Sequence, residues 1–72
     1  MPFDGRKLAA AREEAGLSQP ELAEAVGLKS AYISHLETGK KKNPSFALVE
    51  AMAKVLGVSC ADLGSDPGQR RK

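Results

Sequence analysis

The chain of 72 residues has no tryptophan, two phenylalanines and one tyrosine. Its core must therefore come mainly from Leu, Val, Ile and Ala. Runs of β-branched residues are also missing, and Ala and Leu dominate, which favours a helical bundle over a sheet. A single cysteine, Cys60, leaves nothing to pair with and excludes an internal disulfide framework. The single histidine, His35, is distant in sequence from Cys60 and has no companion ligands at metal-site spacing. No catalytic triad is visible, and no Gly-rich phosphate loop is followed by Lys. The expectation is a chain that is not an enzyme and needs no metal or cofactor. No apolar run approaches the roughly 20 residues of a membrane span. The opening MPFDGRK lacks the apolar region of a signal peptide. The default expectation is a cytoplasmic protein with no membrane partner. The length suits one small domain, whose core supplies a margin of only a few kcal/mol.

What is present is concentrated between Gln19 and Thr38, QPELAEAVGLKSAYISHLET. Two short amphipathic patterns meet at Gly27. Leu22 and Val26 share one side of the first, and Ile33 and Leu36 recur at helical spacing in the second. Leu28 lies between them and fills the crease. Helices crossing at a steep angle need a small side chain where their axes approach, and Ala23 provides it. They also need a left-handed exit from the first helix, which Gly27 adopts without steric cost. Apolar positions 22, 26, 28, 33 and 36, with Ala at 23 and Gly at 27, form a helix-turn-helix pattern.

The flanks complete an all-α reading with five helices. Asp4 is placed to cap a first helix from about Gly5 to Ala15, with Leu8, Ala11 or Arg12, and Ala15 on one face. Gly16 ends it and Leu17 packs back. Ser18 and Glu21 form a capping box for the second helix, with Pro20 in its first turn. A third helix spans Ser30–Thr38 and closes at Gly39. The polar loop Lys40–Pro44 follows. Ser45 caps a fourth helix, Phe46–Leu56, with Phe46, Val49, Met52, Ala53 and Leu56 at intervals of three and four. Ser59 and Asp62 suggest a second capping box for a short fifth helix ending near Leu63. Residues 1–64 thus read as one domain. Residues 65–72, SDPGQRRK, read as a flexible basic tail with nothing to bury.

Net charge is only +2, but its distribution is uneven. Lys29, Lys40, Lys41 and Lys42 bracket the third helix. Glu13, Glu14, Glu21 and Glu24 lie earlier, on the first two. That polarity suits an anionic partner at one end of the motif.

The stretch SQPELAEAVGLKSAYISHLETGKKKNPS resembles the helix-turn-helix core of lambdoid phage repressors and Cro proteins, the XRE-like family. With its flanks, the resemblance covers roughly residues 4 to 64 and implies a compact five-helix, lambda repressor-like fold. It also implies a transcriptional regulator, a repressor, that reads operator DNA in the major groove with the third helix. Carried over by position, Ser30, Ala31, Ser34 and His35 would face base edges; otherwise they are ordinary solvated helix residues. Relatives often carry Arg, Gln or Asn where this chain has Ser30, Ala31 and His35, so modest direct readout is expected. Phosphate contacts and DNA shape would then carry more of the specificity. Gln19 would bond the DNA backbone, as would Tyr32 through its hydroxyl, unless its ring is simply half-buried. Lys40, Lys41, Lys42 and Asn43 form a basic loop placed for phosphates. Lys29 departs from the capping Ser or Thr of relatives. Either Ser30 caps instead, or Lys29 reaches a phosphate. Arg12 and Glu37 match a structural ion pair that orients the third helix.

The implied partner is double-stranded DNA, bound by a homodimer that is weak or forms only on DNA. The region around Val58, Leu63 and the end of the fourth helix is the expected dimer surface. Two rival readings keep the fold. One is the antitoxin of a toxin–antitoxin pair, with a protein partner. The other is an interaction module that has lost DNA binding.

Overall fold

The computed structural model describes residues 3–64. The tail expected at 65–72 and the first two residues of the arm lie outside the described residues. Four α-helices and one 3-10 turn follow in order: α1 (Gly5–Glu14), α2 (Gln19–Val26), α3 (Ser30–Thr38), α4 (Phe46–Leu56) and a turn at Ala61–Leu63. The class is all-α, as the sequence implied. The fifth element differs from expectation. Ser59 and Asp62 do form their reciprocal capping bonds, at 3.0 and 3.2 Å. Only three residues follow in 3-10 geometry before Gly64 turns left-handed. A capping box satisfies the first amides of a helix but cannot propagate it, and three residues are too few for an α-helical ladder.

The helix starts follow from their caps. The Asp4 carboxylate accepts the Arg6 N–H at 2.9 Å, and Ser18 and Glu21 close both halves of their box. Ser45 Oγ accepts the Leu48 N–H at 3.1 Å. Such caps stabilise by about 1 kcal/mol each. Three helix ends share one device. The N–H of an apolar residue just past the end returns to a carbonyl five positions back: Leu17 to Arg12, Leu28 to Ala23 and Val58 to Ala53. All three apolar side chains also pack against the core. Each exit therefore satisfies an orphan carbonyl and adds apolar contact.

The core comprises Leu8, Leu22, Ala23, Ile33, Leu36, Val49, Met52, Ala53, Leu56 and Leu63. α2 packs most extensively on α3, with α1 behind α3 and α4 against α2. Ala23 is buried at this crossing and Gly27 adopts φ +77°, as the helix-turn-helix pattern required. Three placements depart from the sequence reading. Ala15 caps α1 and is exposed. Phe46 shares the α4 stripe yet remains 44% exposed. Periodicity identifies a helix face but not how far neighbouring elements reach along it. Leu63, expected at a dimer surface, is 0% exposed and belongs to this chain's own core. The Asp4 N–H donates to the Leu63 carbonyl at 3.0 Å, tying the start of α1 to the last turn.

Candidate nucleic-acid interface

α3 buries Ile33 and Leu36 and turns its other side outward. Ser30 and Ala31 are exposed, while Ser34 and His35 are half-exposed beside them. The four expected base-facing residues therefore lie along one sector of α3, exposed at its amino end and partly covered at Ser34 and His35. The helix begins without a side-chain cap. Lys29 occupies the capping position with extended backbone, and Ser30 is already the first helical residue. Neither residue supplies a capping oxygen, so the Lys29 side chain is exposed at the amino end of α3.

The far end of α3 is braced by a half-buried polar cluster. Arg12 Nε donates to Glu37 Oε2 at 2.6 Å, and Nη2 donates to Oε1 at 3.3 Å. Arg12 Nη1 donates to the Leu17 carbonyl at 2.7 Å. Gln19 Nε2 adds a bond to Glu37 Oε1 at 2.8 Å. The Arg12 and Glu37 side chains are only 12% and 7% exposed. The hydrogen bond to Glu37 holds the Arg12 guanidinium above its ordinary pKa, against the opposing effect of burial; attraction to Glu37 and Glu13 adds to the rise. One acid on α3 thus receives donors from both α1 and α2. A two-toothed guanidinium contact fixes orientation as well as distance.

Gln19 was expected to bond the DNA backbone. Its amide nitrogen instead bonds Glu37 within the fold, keeping a second N–H for an external acceptor. Nothing in the spacing signalled this bond, since Gln19 and Glu37 lie on different helices. A second feature missed in the sequence is the closeness of α1 to α3. A Cβ added at Gly5 would lie 2.0 Å from the Leu36 carbonyl oxygen. Only a residue without a side chain lets the start of α1 abut the end of α3. The sequence showed Gly5 merely as the first residue after a cap.

Beyond α3, Lys40, Lys41, Lys42 and Asn43 are all exposed. The Lys41 N–H donates to the His35 carbonyl at 3.0 Å, folding the loop back onto the helix end. The Lys41 ammonium lies 5.8 Å from the centroid of the half-buried Tyr32 ring. That is within cation–π reach. Tyr32 thus meets Lys41 through its ring face. Lysines stand at both ends of α3, with Ser30, Ala31, Ser34 and His35 between them.

A family profile described as a helix-turn-helix domain matches residues 5–64. The chain belongs to this helix-turn-helix family. The HTH-type transcriptional regulator SinR of Bacillus subtilis is 38% identical over 55 residues, covering 76% of this chain and 50% of SinR. PuuR of Escherichia coli, also an HTH-type transcriptional regulator, is 35% identical over 63 residues, covering 88% of this chain and 34% of PuuR. The chain spans half or less of the length of these two regulators. Among solved structures, SinR in complex with DNA superposes with a TM-score of 0.79 at 36% identity, over 85% of this chain and 97% of that one. The restriction-modification controller protein C.AhdI of Aeromonas hydrophila gives a TM-score of 0.76 at 32% identity, over 82% of this chain and 84% of that one. No helix among the described residues is long and apolar enough to cross a membrane.

Proposed function

We propose that this helix-turn-helix chain is a sequence-specific DNA-binding transcriptional regulator acting as a repressor. α3 enters the major groove, where each base pair presents a distinct donor and acceptor pattern. The observation that carries the reading is the outward-facing sector of Ser30, Ala31, Ser34 and His35, opposite the buried Ile33–Leu36 edge. The Arg12–Glu37–Gln19 cluster holds that strip in place. Ser30 and Ser34 donate or accept at base edges, Ala31 meets a thymine methyl, and His35 donates to guanine. Lys29, Lys40, Lys41, Lys42 and Asn43 position the domain on phosphates, with Tyr32 holding Lys41 and the second Gln19 N–H adding a donor.

Two copies bind a pseudo-palindromic site with half-sites about one helical turn apart. With Leu63 committed to the core, the dimer surface falls to Val55, which is 39% exposed near the end of α4, and half-buried Val58 just past it. Selection of bound duplexes from a random oligonucleotide pool tests both parts. The expected product is an inverted repeat with a fixed spacing. Recovery of unenriched sequence, with no binding at low salt, would overturn the reading in favour of a protein-interaction module.

A further inference from the structure

A groove of about 590 Å³ opens where the start of α1 meets the end of α3 and the loop after it. Arg6 and Lys7 line it from α1, Thr38 from α3, and Lys42 and Asn43 from the loop. Two carboxylates also border it, but both have partners. Glu37 accepts from Arg12 and Gln19, and Asp4 caps α1 and lies 3.7 Å from Arg6 Nε. Among the described residues, neither Lys7 nor Lys42 has an ion-pair partner. Among the described residues the groove therefore carries an uncompensated positive charge suited to an anion.

Its position identifies the anion. At about 100° per residue, Thr38 falls in the middle of the helical sector bounded by Ser30, Ala31, Ser34 and His35. The Thr38 hydroxyl donates to the Ser34 carbonyl at 3.0 Å, so the groove continues the reading strip beyond its carboxyl end. An α-helix enters the major groove because its diameter with side chains, about 10–12 Å, matches the roughly 12 Å groove width. The loop that follows α3 then lies beside the bordering backbone. B-DNA carries one phosphate per about 1.7 Å of axis, so a phosphodiester is always near.

We infer that this groove is a phosphodiester-binding site for the DNA backbone, with Lys7 and Lys42 as its cations and the Asn43 amide as a neutral donor. α1, which the sequence reading left without a DNA role, becomes part of the interface. The inference rests on the DNA reading above.

The test uses the full chain and fluorescence anisotropy on a random-sequence duplex across a salt titration. Lys7→Gln should make the slope of log K against log salt shallower by about 0.9, and Lys7→Gln with Lys42→Gln by about 1.8. The loss of affinity should be equal for all duplexes. Lys7→Arg should retain the slope. Lys54→Gln, on α4 and away from the groove, removes the same charge and should leave the slope unchanged. Both groove lysines are exposed, so melting temperatures should match the parent. A Lys7→Gln slope equal to that of the parent overturns the site. A Lys54→Gln slope as shallow as that of Lys7→Gln also overturns it, because the effect would then be net charge alone. Failure of the unaltered chain to bind any duplex would overturn the DNA reading itself, and the groove with it.

Discussion

Arg12→Met leaves the Glu37 carboxylate buried with Gln19 as its remaining side-chain partner. Both side chains are largely covered, at 12% and 7% exposure, so the pair is screened less than an exposed one although both residues are half-buried overall. Breaking such a pair from one side costs about 3–5 kcal/mol, because an uncompensated charge stays inside. For a domain this small, each kcal/mol lowers Tm by roughly 4–8 °C, so the variant should lose on the order of 12 °C or more. That approaches the whole margin of such a core. Glu37→Leu should cost a similar amount by stranding the guanidinium. The double variant should recover to within about 2 kcal/mol of the parent, with the residual cost reflecting the Leu17 carbonyl that Arg12 no longer serves and the Gln19 amide that loses Glu37. Urea unfolding of the four proteins yields the coupling energy directly. A single-variant cost below about 1 kcal/mol, the value of an exposed pair, would refute the argument that burial makes this pair strong. The sign of the pH effect is also determined. Arg12 is raised in the folded state, so its stabilisation is fully present below its ordinary pKa and is lost only above it. Unfolding through the neutral and mildly alkaline range should show no transition due to this pair.

Gly5→Ala should destabilise by about 1–3 kcal/mol, since the added carbon would meet the Leu36 carbonyl at 2.0 Å and one helix must move; chemical denaturation measures it. Tyr32→Phe should bind DNA like the parent, whereas Tyr32→Leu should weaken binding by about 0.5–1 kcal/mol, as expected if the ring face holds Lys41. Equal losses in the two variants would return the role to the hydroxyl. Lys41→Ala should weaken all duplexes alike, and His35→Ala should relax preference at particular base pairs; binding to a panel of singly substituted operators separates the two.

The fold was largely legible because its signals are local. Asp4, Ser18 and Ser45 cap within three residues of themselves, and each forms the expected bond. The outward side of α3 was legible for the same reason, since Ile33 and Leu36 define the buried side of a single helix. What escaped was set by contacts between elements. The Gln19–Glu37 bond joins α2 to α3, and Gly5 abuts the Leu36 carbonyl from α1. Leu63, expected at a dimer surface, is buried in this chain's own core, and the last turn is tied to the start of α1 through the Asp4 amide. In none of these cases does the residue type announce its partner. The Arg12–Glu37 pair was available only because a family resemblance placed both residues together.

These inter-helix contacts bear on specificity as well as stability. The strip on α3 consists of Ser, Ala, Ser and His, with no long side chain able to grip a base edge from a distance. A Ser hydroxyl lies one bond beyond Cβ, so it cannot follow a base if the helix shifts, as a flexible Arg can. Hydrogen bonds also weaken steeply outside a narrow range of distance and angle. A strip of short readers therefore depends on the exact seat of its helix, which Gly5 and the Arg12–Glu37–Gln19 cluster define from one end. The phosphate contacts proposed for Lys40, Lys41 and Lys42 would be long-armed and tolerate displacement. The Arg12→Met/Glu37→Leu double variant, close to the parent in stability, should thus keep its affinity for random duplex within about twofold. Its preference for the selected operator should fall by about tenfold, the equivalent of roughly one misplaced base contact. Competition binding with operator and random duplex at matched salt measures that ratio. An unchanged preference would mean that α3 keeps its seat through apolar packing alone, with Ile33 and Leu36 sufficient to aim it.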